Sequence, residues 1–164
     1  LNMRRLDART AEFGKNVYIL NSQEGTITKY EDSLNNSGAS TVWMSTESSK
    51  FPVGAKSIAI DGNIWILTHD NELQRYFGGL WQEDIKPLVF PLLKNATQVK
   101  AFPGNPYLYI LDPAESRLIL LTKSGHVARQ YLVKVSKPLS DFTVSSDGNT
   151  LYLLAGSRVF QIPQ

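Results

Sequence analysis

One short apolar stretch occurs four times along the chain, and no other feature restricts the fold as strongly. It reads Asn16-Val17-Tyr18-Ile19-Leu20, then Asn63-Ile64-Trp65-Ile66-Leu67, Tyr107-Leu108-Tyr109-Ile110-Leu111 and Thr150-Leu151-Tyr152-Leu153-Leu154. The aromatic positions Tyr18, Trp65, Tyr109 and Tyr152 stand 47, 44 and 43 residues apart, and a leucine follows two residues later each time. Repetition at a period of this length is the mark of a fold built from stacked copies of one supersecondary unit.

The surroundings of each copy repeat as well. A β-rich run precedes it: Arg4 to Ala8, Lys56 to Asp61, Thr97 to Phe102, and Ser140 to Val144. Between the two runs lies a glycine turn, at Gly14, Gly62, Gly104 or Gly148. A third run follows a polar turn, at Thr26 to Tyr30, Leu73 to Phe77, Arg117 to Leu121, and Val159 to Ile162. A fourth is visible at Thr41 to Met44, around Leu80-Trp81-Gln82, and at His126 to Leu132. Glycine supplies positive φ without a Cβ clash, so these turns predict hairpins. No segment carries a helical period. Four antiparallel strands repeating at this length predict an all-β fold, a β-propeller segment of about four blades. A β-sandwich also spaces strands evenly, but it has no need of one tetrapeptide four times. The near-continuous apolarity of Ile64 to Leu67 fits a strand buried on both faces of its blade.

The expected blades are residues 1–50, 51–93, 94–137 and 138–164, within a single propeller domain or propeller fragment. The last has no outer strand. Leu1-Asn2-Met3 carries no signal-peptide core, and the chain is read as a piece of a longer protein. An open arc of blades would expose an apolar face at each end, to be covered by a second copy or by the remaining blades of a parent chain. Asp32 to Ser40 and Thr46 to Gly54 read as surface loops, and the proline-punctuated Leu88 to Leu93 reads as a link between blades.

The run Tyr109-Ile110-Leu111-Asp112, then Arg117 to Val127, ending Arg129-Gln130-Tyr131-Leu132, resembles an NHL-type blade of the six-bladed-type propeller superfamily. The resemblance is strongest over residues 97–132. It implies a blade and not a function, because blades of this kind occur in scaffolds, lactone hydrolases and cell-surface modules.

Composition narrows the chemistry. Cysteine is absent, which excludes disulfides, thiolate metal sites and a catalytic cysteine. With only His69 and His126, no zinc site with three nitrogen or sulfur ligands can be built, and no G-x-S-x-G elbow accompanies them. Lys and Arg are scattered and the net charge is +2, so a nucleic-acid partner is not expected. No apolar run is long enough to cross a bilayer, so this segment is not expected to insert directly. Oxygen ligands for calcium could come from Asp61, Asp70, Asp112, Glu115 and Asp147 at turns, or from Asp7, Gln98 and Asp141 at first strands beside Lys56. Turn capping explains those side chains as well, and no cofactor is expected.

The expected role is therefore a non-catalytic binding or assembly module that recognises a protein, peptide or glycan through rim loops. The alternatives are a fragment of a lactonase-like propeller hydrolase and a structural sensor or scaffold domain of a larger surface or signalling protein. Tyr76, Phe77 and Trp81 are the candidate binding residues, a prospective aromatic rim. The residues do not fix a compartment, and the reading leans to an extracytoplasmic or membrane-tethered soluble domain.

Overall fold

The first strand is longer and later than the sequence reading places it. In the computed structural model, which describes residues 8–31 and 39–164, strand β1 covers Ala8–Phe13 and pairs antiparallel with β2, Asn16–Asn21. The expected run Arg4 to Ala8 lies almost wholly outside the described residues, as do Asp7 and most of the Asp32 to Ser40 loop. Ala8-Arg9-Thr10-Ala11-Glu12-Phe13 has few β-branched or large apolar residues, so propensity alone does not single it out. Its partner strand and the Gly14 turn (φ +62°) hold it in place.

Four separate antiparallel sheets follow, all with strands in sequence order. Blade 1 contains β1, β2, β3 (Thr26–Tyr30) and β4 (Ser40–Val42). Blade 2 contains β5 (Ser57–Ile60), β6 (Ile64–Leu67), β7 (Leu73–Phe77) and β8 (Leu80–Ile85). Blade 3 contains β9 (Gln98–Ala101), β10 (Tyr107–Asp112), β11 (Arg117–Thr122) and β12 (Val127–Leu132). Blade 4 has three strands, β13 (Leu139–Val144), β14 (Thr150–Ala155) and β15 (Arg158–Pro163). The fold is an all-β propeller segment, and the repeated tetrapeptide is the second strand of every blade. One 3-10 turn, Pro113–Glu115, is the helical element among the described residues.

The chain divides into two compact units, residues 1–86 and 87–164. In the first, β1 of blade 1 runs beside β5 of blade 2. Tyr18, Leu20 and Ile27 from blade 1 interlock there with Ile58, Ile60, Ile64, Ile66 and Tyr76 from blade 2. Each such side chain removed from water contributes about 1.5–3 kcal/mol. Tyr18 meets Trp43 edge to face, with ring centroids 6.3 Å apart. Trp65, the largest motif aromatic, is fully buried and donates its indole N–H to Asp61 Oδ1 at 2.9 Å.

In the second unit, Tyr109, Leu111, Leu118 and Leu120 of blade 3 pack on Leu139, Phe142, Leu151 and Leu153 of blade 4. Tyr109 is the wedge. Its ring lies 5.5 Å from Phe102 and 6.2 Å from Phe142, and its hydroxyl accepts from Asn105 Nδ2 at 2.9 Å. The expectation of strands buried on both faces holds for β6 and for all but the first residue of β10. In β14 burial alternates instead, and Tyr152 is half-buried, so the motif aromatic is not a wedge in every blade.

Candidate functional site

Two-residue periodicity decides what the Phe77–Trp81 hairpin can present. Gly78 and Gly79 both adopt positive φ, +56° and +82°, the signature of a tight hairpin turn between β7 and β8. A bulge after Arg75 sets Tyr76 opposite Trp81 and Phe77 opposite Leu80. Cross-strand partners point to the same face, and successive residues to opposite faces. Tyr76 and Trp81 therefore share one face, while Phe77 and Leu80 share the other.

The expected rim of Tyr76, Phe77 and Trp81 is thus not a single surface. Tyr76 has no exposed area and belongs to the core, with its hydroxyl donating to Gln74 Oε1 at 2.9 Å. Burial, with a smaller push from the Asp84 charge, raises that hydroxyl's pKa above the ordinary tyrosine range. Trp81 is half-buried against the same core. Phe77 is the exposed member of the trio, at 60%, and its companion is Leu80.

The segment leading out of blade 1 clamps this hairpin. Ser45 N–H donates to Gly79 O at 3.0 Å, and Trp81 N–H donates to Ser48 Oγ at 3.1 Å. Trp81 Nε1 donates to Asp84 Oδ1 at 3.0 Å, and Asp84 also pairs with Lys50. The Lys50 ammonium stands 5.8 Å from the Trp81 ring centre. A Cβ on Gly79 would lie 2.6 Å from Trp43 O, so only glycine allows this approach. Farther along the same segment, Phe51 and Val53 lie against Gly25 and remain partly exposed.

The second unit has an apolar strip of its own. From Pro87 to Phe90 burial alternates, with Pro87 and Val89 inward, and Pro91 and Leu92 are exposed as well; Leu88, Phe90 and Leu92 are 79%, 85% and 65% exposed. The strip is not loose. Arg117 Nη2 donates to Pro91 O, and Gln130 Nε2 donates to Phe90 O at 3.3 Å. Arg117 also donates through Nε to Asp112 Oδ2 and through Nη1 to Gln130 Oε1, both at 2.9 Å. Asp112 and Arg117 are both fully buried and stand opposite each other across the β10–β11 turn.

Asp112, a candidate oxygen ligand at a blade turn by sequence, is half of a buried ion pair with Arg117. The signal was present in the sequence: the last residue of one strand and the first of the next, flanking Pro-Ala-Glu-Ser, must face each other. Two of the other oxygen candidates, Asp61 and Asp147, serve their own turns. Asp61 receives Asn63 N–H and the Trp65 indole. Asp147 receives Ser145 Oγ and both Asn149 nitrogens, and these bonds hold its carboxyl below the usual range. Asp70 is exposed beside His69, and Glu115 closes the 3-10 turn. Among the described residues, no three His, Asp or Glu side chains converge as a ligand set.

The remaining nucleophile–base pairing is small. Ser124 Oγ lies 3.0 Å from His126 Nδ1, within the exposed β11–β12 turn. Thr122 Oγ1 bonds the same serine at 2.9 Å, and no carboxylate orients the imidazole among the described residues. A triad requires that third group. A cleft of about 430 Å³ lies between the Pro103–Pro106 and Ser145–Gly148 turns of blades 3 and 4, where Asn105, Ser145 and Asp147 bond within their own hairpins.

No family model and no curated protein matches the chain by sequence. Solved structures do match. Kuenenia stuttgartiensis hydrazine synthase aligns over 99% of this chain and 49% of its own, with a TM-score of 0.67 and 12% identity. A chain of a nidogen/laminin complex aligns over 95% and 60%, with 0.66 and 15%. Staphylococcus aureus virginiamycin B lyase aligns over 100% and 58%, with 0.62 and 10%. The chain thus spans about half to three-fifths of the length of these structures. At such identities the likeness shows the propeller fold, shared by proteins named as enzymes and by one crystallised in a protein complex.

Proposed function

We propose that this chain is a non-catalytic propeller module that binds a protein, peptide or glycan partner through the segments where its blades diverge. One observation carries the reading. Of the ten large hydrophobic side chains exposed among the described residues, seven lie in Thr46 to Gly54 or Phe77 to Leu93: Phe51, Val53, Phe77, Leu80, Leu88, Phe90 and Leu92. The repeats account for packing, and these side chains keep a large apolar area in solvent, from 38% at Leu80 to 85% at Phe90. Two of the segments carrying them are held by specific hydrogen bonds, at Gly79 and at Phe90–Pro91. A rigid, apolar, solvent-facing segment is the form that recognition surfaces take, because little ordering entropy remains to be lost on binding.

Each unit presents its own patch. Phe77 and Leu80 form one, and Leu88, Phe90 and Leu92 form the other. The reading needs no metal, so calcium or a chelator should leave the melting temperature unchanged. The test is a screen of the immobilised chain against peptide and glycan libraries, repeated with Phe90→Ser/Leu92→Ser and Phe77→Ser/Leu80→Ser. A binder lost in either variant, and kept when the exposed turn residue Lys15 is changed to Ala, supports the proposal. Binders indifferent to both variants, or turnover of a library member, would contradict it.

A further inference from the structure

Three basic residues from two separate segments line one cleft of the second unit. The cleft has a volume of about 480 Å³ and lies between the link from blade 3 to blade 4 and the β14–β15 hairpin. Lys134 and Lys137 line it from the link, and Arg158 lines it from the hairpin. Ser136 and Ser157 add two hydroxyls, and Phe160 contributes a half-buried aromatic wall. No carboxylate lines the cleft.

None of the three cations has a protein counter-ion or hydrogen-bond acceptor among the described residues. Asp141, on the adjoining strand β13, is already held by Lys100 at 2.7 Å. Burial alone would raise the Asp141 carboxyl, but the bonds from Lys100 and the Phe142 N–H outweigh it and keep it below the usual range. Lys134, Lys137 and Arg158 are all exposed. Gly156 has φ +61°, and a Cβ there would lie 3.2 Å from Lys137 Cγ, so the lysine stem rests on the hairpin two residues before Arg158. Three like charges in one concavity repel one another unless an anion joins them.

We propose that this cleft binds the phosphate or sulfate group of a small ligand. A tetrahedral oxyanion accepts from several directions at once, as a guanidinium fork, two ammonium groups and two hydroxyls require. The volume exceeds that of the oxyanion and leaves room beside Phe160 for the group that carries it. The site is separate from the apolar segments and does not rest on the reading given for them.

Amide chemical shifts of the whole chain provide the test, titrated with inorganic phosphate, inorganic sulfate and glucose 6-phosphate at constant ionic strength set with chloride. Saturable shifts confined to residues 134–137 and 155–158 are expected. They should be abolished in Lys134→Ala/Lys137→Ala/Arg158→Ala, reduced in Arg158→Gln, and unchanged in Lys15→Ala. Glucose 6-phosphate binding tenfold or more tighter than inorganic phosphate assigns the site to an ester, and equal binding assigns it to the free oxyanion. Shifts that do not saturate, that spread over lysines elsewhere, or that persist in Arg158→Gln and the triple variant alike would overturn the proposal.

Discussion

Replacing Arg117 by alanine tests how the apolar strip is held. The guanidinium is buried and serves three acceptors: Asp112 Oδ2, Gln130 Oε1 and Pro91 O. Its removal leaves the Asp112 carboxylate buried with no cation, and Asp112 Oδ1 already has no hydrogen-bond partner. Breaking such a pair by deleting one member costs about 3–5 kcal/mol, because the desolvated charge remains. At about 2–4 °C per kcal/mol for a chain of this size, the melting temperature should fall by roughly 6–20 °C. Urea titration followed by tryptophan fluorescence and far-UV dichroism measures the loss directly. The double variant Asp112→Leu/Arg117→Met removes both charges and should be less destabilised than Arg117→Ala alone. Limited proteolysis adds a local readout: Arg117→Ala should open Leu88 to Leu92 to cleavage under conditions where the native chain resists. A loss below about 1 kcal/mol, the scale of an exposed ion pair, would refute the buried network.

Further outcomes follow from the same geometry. Gly79→Ala should destabilise more than Gly78→Ala in urea titrations, since both need positive φ but only Gly79 faces a backbone atom, Trp43 O, within 2.6 Å of the new Cβ; equal effects would remove the clamp from the account. Trp65→Ala should cost about 3–5 kcal/mol by the same method, as for other large buried aromatics, and a near-zero effect would place its ring at the surface. The Asp141 and Asp147 carboxyls are held below their ordinary values in the folded chain, so the stability they contribute is fully present above about pH 4 and is lost as pH falls through the depressed range. Thermal melts between pH 6 and pH 2 should show this fall, and Asp141→Asn should flatten part of it; an unchanged slope would contradict the Lys100 pairing.

How much of this is legible in the sequence depends on what a residue's position encodes. The second strands are legible because stacking constrains them alike: Leu20, Leu67 and Leu111 are all fully buried. Edge and outer strands are not, because one-sided exposure removes the apolar pattern. Leu80-Trp81-Gln82-Glu83-Asp84-Ile85 is one full strand, but its polar middle shows only where the bulge at Arg75 and Tyr76 resets the pairing. The aromatic trio fails as a rim for a related reason. Adjacency in sequence brings Tyr76 and Phe77 together on paper, while the pleat turns them to opposite faces. The facing of Asp112 and Arg117 is legible from the strand ends, but their burial is not, because charged residues beside a Pro-containing turn read as solvated. Lys134, Lys137 and Arg158 were hidden by distance along the chain, since only the β13–β14 pairing, with Leu139 opposite Ala155, brings the link to the hairpin.

The central claim is that the exposed apolar side chains where the blades diverge are where a partner binds. Calorimetric titration of a selected binder at several temperatures tests it most directly. Burial of Leu88, Phe90 and Leu92, or of Phe77 and Leu80, predicts a negative heat-capacity change that shrinks in the corresponding serine variant, with affinity falling at least tenfold, about 1.4 kcal/mol. A binder whose affinity and heat-capacity change are the same in both variants and in the native chain would contradict the account.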